Sequence, residues 1–158
     1  MFRILPVLLL VACSSGATDQ AVDDYQVIVT DLTSLVASHG TAVQGAASVE
    51  AVNALEVSYQ TDWDAVSARM GEHMAFIEGC EMSDADMGAM DDVTAMMADM
   101  DGMVADHVAA HATHTELTQC TADEDALTTD MSARTTSMAA HGEEWRTNMH
   151  CSGGGMDM

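Results

Sequence analysis

The sequence predicts an all-α protein, an antiparallel up-down-up-down four-helix bundle, and three observations carry that prediction. Apolar residues recur in alternating steps of three and four along four separate stretches, the spacing that keeps one seam of a helix facing its neighbours. Breakers are few: the single proline is Pro6, well before those stretches. Ala and Met are abundant while β-branched alternation is nearly absent, which argues against strands.

Each helix has its own seam. The first pattern carries Val22, Tyr25, Val29, Leu32, Val36, His39 and Val43, and the second Val52, Leu55, Tyr59, Trp63, Val66, Met70, His73, Ile77 and Cys80. The third runs through Met90, Val93, Met97, Met100, Val104, His107, His111 and His114, and the fourth through Leu127, Met131, Arg134, Met138, His141 and Trp145. Ser83 is the expected N-cap of the third helix, and Thr121, with Glu124 three residues on, that of the fourth. Short connections make successive helices antiparallel neighbours. The bundle is therefore expected over 21–150, one domain with a single core.

The ends read differently. Residues 1–12 have the form of a signal segment: Arg3 supplies a positive start, and the apolar run from Ile4 to Val11 is too short to span a bilayer. Leu10-Val11-Ala12-Cys13 resembles the lipobox of bacterial lipoprotein precursors. The resemblance implies that Cys13 is lipidated and becomes the first mature residue, with residues 13–20 as a linker. Ser14 in second place goes with outer-membrane sorting, so the implied location is the bacterial cell envelope, on the periplasmic face or at the surface. Residues 151–158 read as a flexible Met- and Gly-rich tail.

Charge narrows the partners. Four basic residues stand against 26 acidic ones, a formal net charge of −22, and there is no lysine. Such a surface repels nucleic acid and anionic headgroups, leaving the lipid anchor as the expected membrane contact. Acids spread along the whole chain fit a surface kept hydrated in a salty environment.

Six of the seven histidines occupy seam positions, where about two would fall by chance. In the expected topology His39, His107, His111 and His114 share the third of the bundle next to the first and third connections. His73 and His141 lie in the other half, at levels near Met70, Met97, Met100 and Met138. A buried imidazole left unsatisfied costs about 1–3 kcal/mol, so the set needs partners: a metal, a haem, internal water, the Tyr59 phenol, or carboxylates such as Glu50, Glu116 and Glu124. Neutral imidazole suits copper, zinc, nickel and iron. His39, His107, His111 and His114 are accordingly expected to form one metal site, and His73 and His141, with Met70, Met97 and Met138, a second. The thioethers put copper ahead of zinc or nickel, because soft ligands select Cu(I).

A b-type haem is the alternative ligand, with His39 facing His111 and His73 facing His141 as axial pairs and Gly40 and Gly142 leaving room for the macrocycle. No Cys-x-x-Cys-His is present for covalent attachment. Cys80 and Cys151 are expected at one end of the bundle and joined by a disulfide. Cys120 lies a helix length of about 45 Å away, beyond the roughly 7 Å that a bridge allows between Cα atoms. Arg134 on a seam needs a carboxylate from Asp62 or from the acids of the third helix. The Glu-x-x-His pairs of di-iron bundles, the His-x3-Glu element of hemerythrin-like sites, a phosphate-binding glycine loop and a nucleophile elbow are all missing. The sequence thus favours a non-catalytic role, metal sequestration or delivery, with a structural or partner-binding lipoprotein as the further alternative.

Overall fold

The structure, a computed structural model, describes residues 15–151. Over that range it is all-helical: α1 (Ser15–Gln44), α2 (Val49–Ile77), α3 (Asp84–His111) and α4 (Leu117–Asn148). Among the described residues there is no strand, only one isolated bridge between Glu81 and His150. Each helix packs on the next, and α4 closes on α1. The signal segment 1–12, the lipidation site Cys13 and the tail residues 152–158 lie outside the described residues. None of the described helices is long and apolar enough to cross a membrane.

The helix starts follow from local chemistry. Ser48 caps α2 by accepting from the Ala51 amide, and Ser83 forms a capping box with Asp86 at the head of α3. Two boundaries differ from the sequence reading. α1 is already helical at Ser15, within the expected linker 13–20, and Thr18 is buried there, accepting a hydrogen bond from the Cys151 amide at 2.9 Å. α4 begins at Leu117, where Glu116 and Gln119 make the capping box, so Thr121 and Glu124 are helix interior and not a cap.

Side-chain pairs link neighbouring helices. Between α1 and α4, Gln44 donates to Asp125, Gln26 to the Ala139 carbonyl, and Arg146 to Asp23. Arg69 of α2 reaches Asp31 of α1, and Arg134 of α4 reaches Asp99 of α3. At one end a Cys80–Cys151 disulfide, with Cα atoms 4.4 Å apart, ties the α2–α3 connection to the segment after α4.

Most seam residues meet in a main core of large side chains, among them Tyr25, Leu32, Trp63, Met100, Met131 and Trp145, while Val43, Val52 and Cys120 form a second, smaller cluster. Every seam residue expected of α1 is buried. The α4 seam shifts by one residue in two places: Thr135 is buried where Arg134 was expected, and Gly142 where His141 was expected. A straight helix of 3.6 residues per turn drifts against a strict heptad, so a second step of four follows Met131 and returns the seam to the core. The shift leaves Arg134 half-exposed and bonded to Asp99, as a charged group requires.

Candidate metal centre

Each helix contributes one buried ligand-type side chain at the same level. They are His39 from α1, Glu56 from α2, His107 from α3 and Glu124 from α4, each between 1 and 6% exposed. The order around the bundle is imidazole, carboxylate, imidazole, carboxylate, so each histidine has a glutamate on both sides. His39 Nε2 lies 3.2 Å from Glu56 Oε1 and 3.2 Å from Glu124 Oε2. His107 Nε2 lies 3.6 Å and 3.0 Å from the same two atoms. All four ligand atoms fall within 4.8 Å of one another.

These separations are short enough for ion pairs, yet none of the four atoms is aligned with a hydrogen-bond partner. They are grouped closely enough to share one ion as well as to pair with each other. An ion holding four ligands tetrahedrally at about 2.0–2.1 Å spaces ligand atoms about 3.3 Å apart, a spacing that the four His–Glu separations of 3.0–3.6 Å bracket, while the two remaining pairs lie within 4.8 Å. The donor set fits a borderline divalent ion: imidazole nitrogen and carboxylate oxygen are both zinc ligands, and both serve other first-row metals.

Two of the four groups are held by their surroundings. Thr128 Oγ1 donates to Glu124 Oε1 at 3.0 Å, leaving Oε2 turned to the centre. The Tyr59 ring stacks on His39, centroids 3.9 Å apart and planes within 6°. At Gly40 α1 and α4 come so close that a Cβ would sit 2.9 Å from Thr128 Oγ1 and 3.2 Å from Glu124 Oε1. Val43, Val52 and Cys120 form an apolar plug on one side of the centre, and the main core continues on the other.

Electrostatics couple the groups. Burial opposes protonation of His39, but the carboxylates of Glu124 and Glu56 outweigh it and push the ring up to about 9; His107 is pushed up to about 9 by the same pair. Burial likewise opposes ionisation of Glu56 and Glu124, and the two imidazoles overcome it, holding both carboxyls at about 2. His111, fully buried, is pushed down by burial and by the nearby His107 ring. Burial also raises the Cys120 thiol, which stays free.

The expected four-histidine site is therefore rearranged. His39 and His107 are brought together, but the centre is completed by Glu56 and Glu124. His111 stands beside it with Nδ1 2.7 Å from Glu56 Oε1. His114 turns the other way, its Nε2 2.6 Å from Asp123 Oδ2. Histidine lacks the negative charge needed to offset a buried cation, and carboxylates supply it. Glu124 was among the candidate partners in sequence; Glu56 was missed because the step from Val52 to Tyr59 passes equally well through Leu55.

The His73 and His141 site does not assemble as expected. His73 Nε2 donates to the Ala21 carbonyl at 2.8 Å, a structural role, and the Tyr25 ring lies beside it. His141 sits on the flank of α4 with Nδ1 3.6 Å from Glu144, because Gly142 takes the seam position. Met70, Met97 and Met138 are packed into the main core. Nor do the glycines open space for a haem. Thr128 and Glu124 fill the face of Gly40, Gln26 and Tyr25 fill that of Gly142, and the Glu56 carboxylate occupies the gap between His39 and His111. Comparison with protein families, with curated proteins and with solved structures finds no match for this chain.

Proposed function

We propose that this protein is a non-catalytic, metal-binding four-helix bundle that sequesters or delivers a divalent transition-metal ion, held by His39, Glu56, His107 and Glu124. The observation that carries the reading is the grouping of four buried ligand atoms, one from each helix, within 4.8 Å of one another, with His–Glu separations near those a tetrahedral ion imposes. Four protein ligands leave no open coordination position, which favours retention of the ion over catalysis at it. The nitrogen and oxygen donors favour Zn(II) and similar divalent ions above Cu(I), whose preference is for thiolates and thioethers. An up-down-up-down antiparallel arrangement supports this, because it sets the C-terminal ends of α1 and α3 level with the N-terminal ends of α2 and α4. The lipobox resemblance at Leu10–Cys13 supports a lipid-anchored protein of the bacterial cell envelope.

The test is equilibrium dialysis of untagged protein against Zn(II), with thermal unfolding in parallel. Retained stoichiometric zinc, and a melting temperature that rises with free zinc and falls with chelator, are expected. If zinc is not retained and the melting temperature is indifferent to zinc, the four side chains are a buried ion-pair network instead, and the metal reading fails.

A further inference from the structure

We propose that His111, His114 and Asp123 form a second, outer divalent-cation site, and that an ion passes through it to the inner centre with His111 as the residue common to both steps. The transfer rests on the inner centre being a metal site; the existence of the outer site does not.

The inner ligand atoms are shut off from solvent, so an ion needs a route to them. The outer three residues offer one, with ligand atoms within 4.8 Å of one another. Asp123, near the start of α4, has a side chain 46% exposed, and that of His114, in the α3–α4 connection, is 14% exposed. The His111 side chain, at the end of α3, is fully buried, and its Nδ1 lies 2.7 Å from Glu56 Oε1 of the inner centre. Ring centroids step from His114 to His111 over 5.3 Å and from His111 to His107 over 4.0 Å. Ligands thus follow one another from solvent to core at separations an ion can cross by exchanging one bond for the next.

His111 supplies the independent observation. Its Nδ1 faces Glu56 Oε1, but its Nε2 is buried with no hydrogen-bond partner, an arrangement that burial penalises unless another species takes up that nitrogen. Two imidazoles and a carboxylate leave a coordination position free for water, the pattern of a site that exchanges ligands. The ion stays divalent throughout, and bonds to Asp123 and His114 are replaced by bonds to Glu56 and its neighbours. A net charge of −22 draws cations toward the exposed Asp123.

The experiment uses the full chain and Zn(II) alone. Stoichiometry comes from equilibrium dialysis, and the rate of inner-site filling from competition with a chromogenic chelator. Wild type is compared with Asp123→Asn, His114→Ala and Glu124→Gln, each checked for helicity by circular dichroism. Two ions are expected in the wild type. Asp123→Asn and His114→Ala should each hold one and fill about tenfold or more slowly, while Glu124→Gln should hold only the outer ion. Two ions retained by Asp123→Asn, or filling at the wild-type rate, would overturn the proposal. A single wild-type ion lost in Glu124→Gln but kept in Asp123→Asn removes the outer site and leaves the inner reading standing. A single ion lost only with Asp123→Asn or His114→Ala removes the inner reading and the transfer with it. His114→Ala gives the same readout should Asp123→Asn prove unfolded.

Discussion

His107 Nε2 lies 3.0 Å from Glu124 Oε2 in the buried interior of the bundle, near the α3–α4 connection, and neither atom is aligned with a hydrogen-bond partner. Glu124→Gln keeps the shape and removes the charge. With one anionic ligand gone, Zn(II) affinity is expected to fall by more than about 100-fold, since even partners outside the ligand set cost 10–100-fold when removed. The metal-free protein should also lose about 3–5 kcal/mol wherever the imidazoles remain protonated, because a buried pair has lost one member. Zinc titration and chemical denaturation of the same variant separate the two effects.

The pH dependence of the metal-free protein follows from the shifted groups. His39 and His107 rise from 6.5 to about 9, so the stability they contribute is complete below 6.5 and is lost as pH rises through about 9. Glu56 and Glu124 fall from 4.5 to about 2, so theirs is complete above 4.5 and is lost as pH drops through about 2. All four contribute fully between 4.5 and 6.5, and denaturation midpoints should fall on either side of that window. With both imidazoles pushed up to about 9 by the carboxylates, protons on them compete with an ion at pH 7. Zinc binding should release about two protons, measured as the dependence of calorimetric heat on the buffer's ionisation enthalpy. Release near zero would mean that the ion does not bind at these imidazoles.

Most of the helical architecture was legible because a seam is a periodic signal, and α1 repeats its three-four spacing with an apolar or imidazole group at every place. The site was half legible. His39 and His107 stand out as imidazoles at seam positions, but Glu56 competes for its place with Leu55, and an acid on an acidic chain looks like surface. In space Val52, Glu56 and Tyr59 share the buried face. On α4 the pattern Cys120, Glu124, Leu127, Met131 has the same step of four into a carboxylate. Two seam glutamates on alternate helices, between two seam histidines on the others, are the signal that hydrophobicity alone concealed. His141 was misplaced for the converse reason, since a strict heptad carries it inward while the real helix brings Gly142 there.

Gly40 is where backbone geometry and the site meet. A methyl group there falls 2.9 Å from Thr128 Oγ1, so the threonine hydroxyl must move, and with it the hydrogen bond that orients Glu124. Gly40→Ala is expected to weaken zinc binding by about 10–100-fold, the usual cost of disturbing a group that positions a ligand, with helicity unchanged. Thr128→Ala removes the same hydrogen bond to Glu124 without a clash, and should weaken zinc binding to a similar extent. If Gly40→Ala binds zinc as the wild type does, Glu124 is not held by this contact.

The disulfide lies at the other end of the molecule and should act on the fold alone. Cys80 and Cys151 are 71 residues apart in sequence, and closing a loop of that length removes unfolded-state entropy worth about 4 kcal/mol at 25 °C. Beside it the Cys151 amide donates to Thr18 and the Glu81–His150 bridge pairs the two backbones. None of these residues touches His39, Glu56, His107 or Glu124, which sit toward the α1–α2 and α3–α4 connections. Reduction, or the double variant Cys80→Ala with Cys151→Ala, is therefore expected to lower the denaturation midpoint sharply while leaving the zinc stoichiometry of the folded protein unchanged. Loss of zinc at a denaturant concentration where far-UV circular dichroism still reports the full helix content would show that the two ends of the bundle are coupled.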